Sequence, residues 1–348
     1  MEQLQKTPTI LDVARVAKVS TATVSRALSN PERVKQSTRD RIFLAVEATG
    51  YTANQSARSL RQQNSRTILV ALPDIRNPFF STILDAIERE ATRRGYGVLV
   101  ANRFLGTQPG RRIREYFVSN RADGLLLLDG SIALEELLQL RSGHVFMPLV
   151  VACEEIAQAP FRTVTTDNAY AAFCATRHLI DLGHRRLGHI RGPGGNPLTA
   201  EREQGFRRAL READIVLHEE WMFPGNFEMQ SGAAAAERYL ALSKRPEAVF
   251  AANDESAIGF VAGLRQHGLE CPRDVSVVGF DDLAIASHFW PPLTTMRQPR
   301  EALGRLAAEA LIDLIEGQSS GRVPQHIVLS SELIVRGSTA PAVSAASV

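Results

Sequence analysis

Residues 9–30 read TILDVARVAKVSTATVSRALSN, and the punctuation of this stretch decides the amino-terminal fold. Thr9 is placed to cap a helix, with Asp12 at the third helical position in a variant of the capping box. Ile10, Val13, Ala14 and Ala17 then recur at i, i+3, i+4 and i+7, giving one apolar face. Lys18-Val19 interrupts, and Ser20 caps a second short helix with Val24 and Leu28 turned inward. Asn30-Pro31 breaks the chain. Further on, Ser37 with Asp40 three positions later predicts the cap of a third helix. Ile42, Ala45, Val46 and Thr49 are spaced for its burial, and Gly50 stands at its carboxyl end. Two short helices across a tight turn, closed by a third, make a helix-turn-helix.

Charge gives this head a partner. The 348 residues carry a net charge of +2, but residues 1–66 hold eleven Lys/Arg against five Asp/Glu. The head is therefore +6 and the remainder −4. A basic head on a mildly acidic body suits a polyanion, although a solvated charged face would look the same by count alone. In a helix-turn-helix the second helix enters the major groove with its first residues at the base edges. Its outward positions here are Thr21, Ala22, Ser25 and Arg26. Arg26 can pair bidentately with guanine, while Thr21 and Ala22 offer small apolar contacts to a thymine methyl. A three-helix bundle unconnected with nucleic acid is the competing reading, and charge and spacing together oppose it.

With 44% hydrophobic and 22% charged residues the chain can bury a sizeable core, which excludes a disordered, fibrous or disulfide-stapled class. Cys153, Cys174 and Cys271 are odd in number and lack CxxC spacing, so they read as reduced thiols of a cytoplasmic protein. No apolar run approaches the ~18–20 residues of a membrane span. MEQLQKTPTI has no secretory apolar stretch, and the protein is expected to stay inside the cell.

From Thr67 the apolar runs alternate with helical stretches. ILVALP (68–73), YGVLVA (96–101), DGLLLLD (123–129) and FMPLVVA (146–152) form one series. RTVTTD (162–167), RRLGHIRG (185–192), EAVFAA (247–252) and DVSVVGF (274–280) are read as a second. Continuous Val/Ile/Leu runs of this kind are buried parallel strands, and two groups predict two doubly wound subdomains. Ligands of open α/β sheets bind beyond the carboxyl ends of the strands. The candidates there are Asp74, Asn77, Asp167, Asn196 to Arg202, Asn253, Asp254 and Asp281. Such carboxylates and amides suit a ligand rich in hydroxyls. Phe79, Phe80 and Phe227 can supply flat apolar walls, and Arg202 can bridge ligand and carboxylate. Any one aspartate at a strand end is more often a helix cap than a ligand group.

TILDVARVAKVSTATVSRALSNPERVKQSTRDRI and GYTANQSARSL resemble the head of the lactose/galactose repressor (LacI/GalR) family of bacterial transcription regulators. The likeness continues through SRTILVALPDIRNPFF, DNAYAA, LGHRRLGHIRGP, AANDESAIG, DVSVVGFDD, PPLTTMRQP and LIVRGST, and so covers nearly the whole chain. One departure is Lys18, where some members have a turn glycine; a left-handed lysine costs ~1 kcal/mol. The resemblance implies an all-α helix-turn-helix head (1–53), a hinge (54–66) and a periplasmic-binding-protein-like core (67–348). It implies three crossings between subdomains, placed near 166, 294 and 325, giving a first subdomain of 67–165 and 295–325 and a second of 166–294 and 326–340. The helix at 300–317 then returns to the first.

By the same resemblance Thr9, Thr21, Ala22, Thr23, Ser25, Arg26, Lys35, Thr38, Asn54, Ala57, Leu60 and Arg61 are DNA contacts. The hinge, NQSARSLRQ, is too short to be a stable helix alone. It is implied to fold on DNA, pair with its dimer mate and wedge Leu60 into the minor groove, with Arg58 and Arg61 near phosphates. Phe80, Asp167, Arg202, Asn253, Asp254 and Asp281 are implied effector contacts, joined by Asn77, Phe79, Phe227 and Gln298. Asn196 and Leu198 stand where relatives place ligand-specific side chains.

The function expected is a repressor that binds double-stranded operator DNA as a homodimer and is gated by a small effector, without cofactor or membrane. The resemblance implies a nucleoside such as cytidine, with ribose or another pentose as the alternative. An enzyme acting on sugars or nucleosides is the rival class, yet no GxSxG, GxxxxGK[ST] or HExxH occurs. Gly192-Pro193-Gly194-Gly195 lacks the last glycine of a dinucleotide fingerprint, and His184 and His189 read as surface or core residues rather than metal ligands. A secreted solute-binding protein would need an export signal where the helix-turn-helix stands. The tail STAPAVSAASV lacks leucine heptads, which predicts a dimer and not a tetramer.

Overall fold

α1 (Ile10–Ala17), α2 (Thr21–Ser29) and α3 (Gln36–Thr49) build the amino-terminal unit. The computed structural model describes residues 8–51, 64–102, 109–130, 132–141, 147–156, 158–318 and 325–342. It divides into Met1–Ser65 and Arg66–Val348. The Thr9 backbone N–H and hydroxyl donate to Asp12 Oδ2 at 2.9 and 2.7 Å, and these bonds hold the Asp12 carboxyl below its ordinary range. α1 stops where Lys18 turns left-handed at φ 53. The Ser20 hydroxyl accepts from Thr23 N–H and starts α2. Val13, Ala17, Val24, Ala27, Ile42 and Ala45 are buried between the three helices.

The expected Ser37 cap is corrected. Lys35 is already the flanking residue, with extended backbone (ψ 139), so α3 begins at Gln36 and Ser37 lies inside its first turn. Asp40 is then too far along to reach back to a cap; it accepts instead from Gln36 Nε2 at 3.4 Å. Gly50, at φ 65, ends the helix.

In the second unit the chain runs β1 (Thr67–Leu72), α4 (Phe79–Arg93), β2 (Gly97–Asn102), α5 (Pro109–Val118), β3 (Gly124–Leu127), α6 (Leu134–Arg141), β4 (Leu149–Ala152) and β5 (Arg162–Thr166). It continues α7 (Asn168–Asp181), β6 (Leu187–Ile190), α8 (Pro197–Glu212), β7 (Met222–Phe223), α9 (Met229–Leu240), β8 (Ala248–Ala251), α10 (Asp254–Gln266) and β9 (Ser276–Asp281). β10 (Thr294–Arg297), α11 (Arg300–Ile315), β11 (His326–Leu329) and β12 (Glu332–Ile334) follow. One sheet has the order β11-β5-β4-β3-β1-β2 and the other β12-β10-β9-β8-β6-β7. All pairings are parallel except β10 with β12.

Each sheet is covered on both faces, which is why β3, β4, β6, β8 and β9 are buried from end to end and β3, β4 and β8 are wholly apolar. Ile83 and Ile87 of α4 with Leu303, Ala307 and Leu311 of α11 pack on one face of the first sheet; Ile113, Phe117 and Leu137 cover the other. α9 and α10 flank one face of the second sheet, α7 and α8 the opposite one.

The sheets shift three sequence boundaries. RTVTT does not begin the second series: as β5 it pairs with β4 and β11 in the first sheet. The second crossing comes after Arg297 rather than near 294, because β10 first pairs with β9. The third comes after Leu329 rather than near 325, because β11 first pairs with β5. TTMR has a single apolar residue, and HIVL is four residues long with none of them buried, unlike the continuous buried runs that mark central strands. α11 packs with α4 in the first lobe. The hinge residues Asn54, Ala57, Arg58, Leu60 and Arg61 lie outside the described residues, as do residues 343–348 of the tail.

Candidate nucleic-acid interface and ligand cleft

On α2, Thr21 and Ser25 are half-buried while Ala22 and Arg26 are exposed, so one face of the first two turns looks outward. Together with Leu11, Asn30 and Arg33 these residues line a shallow concavity. Thr23 is turned to the cap, its hydroxyl 2.8 Å from Ser20 Oγ, and the Thr9 hydroxyl is held by Asp12. Lys35 is exposed and Thr38 half-buried at the start of α3, where a helix N-terminus and a lysine favour an anion such as phosphate.

In the second unit the strand ends of the two sheets converge around Arg202, which is 3% exposed on the first turns of α8. Its Nε and Nη2 donate to Asn168 Oδ1 at 3.2 and 3.0 Å, and Nη1 donates to the Ala252 carbonyl at 2.6 Å. The guanidinium lies 3.9 Å from the Phe280 ring centre and 5.6 Å from that of Phe227. Burial lowers its pKa, opposed by Asp281, Glu201, Glu154 and Asp254.

Asp281 ends β9 at φ 120 and accepts from Gln298 Nε2 at 2.7 Å. Burial pushes its carboxyl up to about 6 while Arg202 pulls the other way. Gln298 Oε1 in turn accepts from the Thr166 hydroxyl at 3.0 Å, so one chain of bonds joins the end of β5 in the first sheet to β9 in the second. Phe227 adopts φ 60 and lays its ring on Gly192, where a Cβ would collide with it. Its carbonyl accepts from Asn253 Nδ2 at 2.9 Å. Cys153, beyond β4, is left-handed too, at φ 70. Strained non-glycine residues gathered at strand ends mark a functional region.

Several predicted residues are held by helix caps. Asp167 accepts from Tyr170 N–H at 2.8 Å, Asn253 from Ser256 N–H at 3.0 Å and Asn77 from Phe79 N–H at 2.9 Å. Asn196 Oδ1 accepts from Leu198 and Thr199 N–H. Leu198 is buried in that same turn. Phe79 and Phe80 meet edge to face at 5.2 Å in a cluster with Cys153 and Leu283. Asp254 is not brought to the cleft: it is fully buried, accepting from the Thr295 hydroxyl and Leu283 N–H at 2.5 and 2.7 Å, and braces the β9–β10 region.

Sequence reasoning missed Glu154 and Asn168, whereas Thr199 lay within the stretch Asn196 to Arg202 that it singled out. Glu154 stands two residues past β4, 4% exposed, accepting from Gly130 N–H at 2.6 Å and from Asn196 Nδ2 at 3.2 Å. Burial pushes its carboxyl up to about 7, with Asp129 adding to the rise. The strand-end rule applied to FMPLVVA would have reached it. The Thr199 hydroxyl, beside Gly192 and the Phe227 ring, has no partner among the described residues. Directed donors, acceptors and aromatic faces of this kind bind. The Cys153 thiol is driven above its ordinary range by burial, and no metal-holding group of His, Cys, Asp and Glu occurs among the described residues.

Residues 9–54 match the model for bacterial regulatory proteins of the lacI family, and residues 176–339 the periplasmic binding protein-like domain. The chain is 38% identical over 331 residues to the HTH-type transcriptional repressor CytR of Escherichia coli (strain K12), covering 95% of this chain and 96% of the relative. It superposes on the crystal structure of the Lac repressor dimer bound to operator and the anti-inducer ONPF with a TM-score of 0.84 and 26% identity, covering 96% and 100%. A LacI family regulator from Enterococcus faecium with bound ribose gives a TM-score of 0.71 at 27% identity, over 79% of this chain and 99% of that one.

The chain belongs to the lacI family of bacterial regulatory proteins. As a lacI-family protein it is a DNA-binding transcriptional repressor, not an enzyme, with a helix-turn-helix head and a two-lobed effector-binding core. Operator DNA, a small effector and a second copy of the chain are its partners. Among the described residues no helix is long and apolar enough to cross a membrane.

Proposed function

We propose that the effector of this repressor is a nucleoside such as cytidine, bound between the two sheets, and that the protein works in the cytoplasm. The observation that carries this is the arrangement around Arg202. A guanidinium stacked on Phe280 stands beside the Phe227 ring, next to a carboxylate bonded through Gln298 to the opposite lobe. A flat base matches the aromatic and guanidinium faces, and ribose hydroxyls match Asp281 and Arg202. Asn77, Phe79, Phe80, Asp167, Asn196, Leu198, Phe227 and Asn253 complete the wall, with Asp254 as a brace behind it. On DNA, Thr21, Ala22, Ser25 and Arg26 read bases. Thr9, Thr23, Lys35 and Thr38 face the backbone with Asn54, Ala57 and Arg61 of the hinge, and Leu60 is the minor-groove wedge.

Filling the cleft changes the angle between lobes and hence the spacing of paired hinges. Effector and operator affinities are then coupled reciprocally, typically by ~1–3 kcal/mol. A pentose is the second reading, favoured by the ribose-bound structural relative. A thermal-shift panel of nucleosides, free bases and sugars tests both. Stabilisation by cytidine and not by ribose supports the first reading; stabilisation by ribose alone supports the second, and by a purine base alone refutes both.

A further inference from the structure

The geometry points to Glu154 and Asn196 as a paired reader of the base edge, selecting a nucleoside whose base carries an exocyclic amine beside a ring-nitrogen acceptor. This rests on the nucleoside reading and deepens it. Glu154 comes from the first lobe, Asn196 from the second, and their side chains meet across the cleft at 3.2 Å. Each arrives with a fixed orientation. Gly130 N–H holds Glu154 Oε2, and the Leu198 and Thr199 N–H groups hold Asn196 Oδ1, so Nδ2 must face the carboxylate.

A carboxylate has about four acceptor positions and an amide nitrogen two donors. Glu154 uses one position per oxygen on the bonds above, and Asn196 gives one hydrogen to it. What the pair still offers is an acceptor next to a donor. Cytosine presents the complement, an N4 amine next to the N3 acceptor; uracil presents the opposite pattern, O4 next to N3–H. Carboxylates accept from cytosine N4 in the same sense elsewhere. The Thr199 hydroxyl, buried one turn from Asn196 beside Gly192 and the Phe227 ring, is a second polar group left without a partner among the described residues.

The charge state of Glu154 sets the direction of selection. The groups facing it are Asp129 beyond β3, Arg202 on α8 and the neutral Cys153 thiol just before it in the chain. Ionised, Glu154 repels O4; protonated, it donates to O4 and loses an acceptor for N4. Cytidine selectivity over uridine therefore rises as pH climbs through about 7.

Calorimetric titration of the full chain with cytidine and with uridine, at about pH 6 and about pH 8, tests this, with Glu154→Gln measured at the higher pH. The wild type is expected to prefer cytidine by about tenfold or more at the higher pH, and the preference to shrink at the lower. In Glu154→Gln, whose amide offers either donor or acceptor, the preference should approach one. A preference independent of pH, or unchanged in Glu154→Gln, overturns the assignment while leaving the nucleoside reading standing. Should the variant not fold, the wild-type pH pair decides alone. Binding of neither nucleoside to the wild type defeats the nucleoside reading, and the assignment with it.

Discussion

Replacing Asp281 by asparagine should stabilise the core at alkaline pH and weaken effector binding at the same time. The carboxyl is 5% exposed and moves from an ordinary 3.8 to about 6, with the attraction of Arg202 already included in that figure. Roughly two units at ~1.4 kcal/mol each is about 3 kcal/mol of differential interaction. The sign follows from the direction. Below 3.8 both folded and unfolded chains hold the proton and the residue is neutral; as pH rises through 6 the unfolded chain has already released it, and folding must bear the buried charge. Asparagine mimics the protonated acid and still accepts from Gln298. Urea unfolding followed by tryptophan emission reports this unit, since Trp221 and Trp290 both lie in it. The variant should match the wild type near about pH 4, gain steadily, and level off about 3 kcal/mol more stable above about pH 6. A variant less stable than wild type at about pH 8, or a difference flat in pH, refutes the reasoning. The carboxylate would then not be one that the fold carries at a cost for the sake of recognition.

Arg26→Ala should weaken operator binding by about 1–3 kcal/mol and relax discrimination at one base pair, read by gel retardation on singly substituted operators. Uniform loss across all sequences would make Arg26 a phosphate contact instead. Leu60→Ala should lower operator affinity while effector affinity, measured calorimetrically, stays unchanged, and equal operator affinity would sink the hinge model. Gly205→Ala places a Cβ against the Ala169 carbonyl, where α7 and α8 cross, and should cost about 1–3 kcal/mol in thermal unfolding.

The head was legible because each signal is local: Thr9, Ser20 and Asn30 punctuate helices within a few residues, and Lys18 takes the left-handed turn that its position demands. The central strands were equally plain, since a strand buried on both faces is mostly apolar along its length. What escaped was set by distant pairing. Nothing in TTMR or HIVL announces that each completes a sheet before the chain crosses, because that is decided by β9 and β5 far away in sequence. Within the cleft, Arg202 and Asp281 stood out by residue type and position. Glu154 did not, because its importance comes from Asn196, 42 residues on and in the other lobe. Asp254 misled for the opposite reason: a carboxylate at a strand end looks alike whether it faces a ligand or the Thr295 hydroxyl behind it.

The third crossing has a mechanical consequence. β11 in one sheet and β12 in the other are separated by Ser330 and Ser331 alone, and two further strand-to-helix passages run between the same lobes. So short a tether forbids the halves from drifting apart and leaves rotation as the available motion. The DNA-reading head is chained to the first half alone, through β1, whereas Arg202, Phe227, Asn253 and Asp281 belong to the second. The proposed ligand site draws on both halves, Phe80 and Glu154 on the first and Arg202 and Asp281 on the second, so a change of ligand bears directly on the half that carries the output.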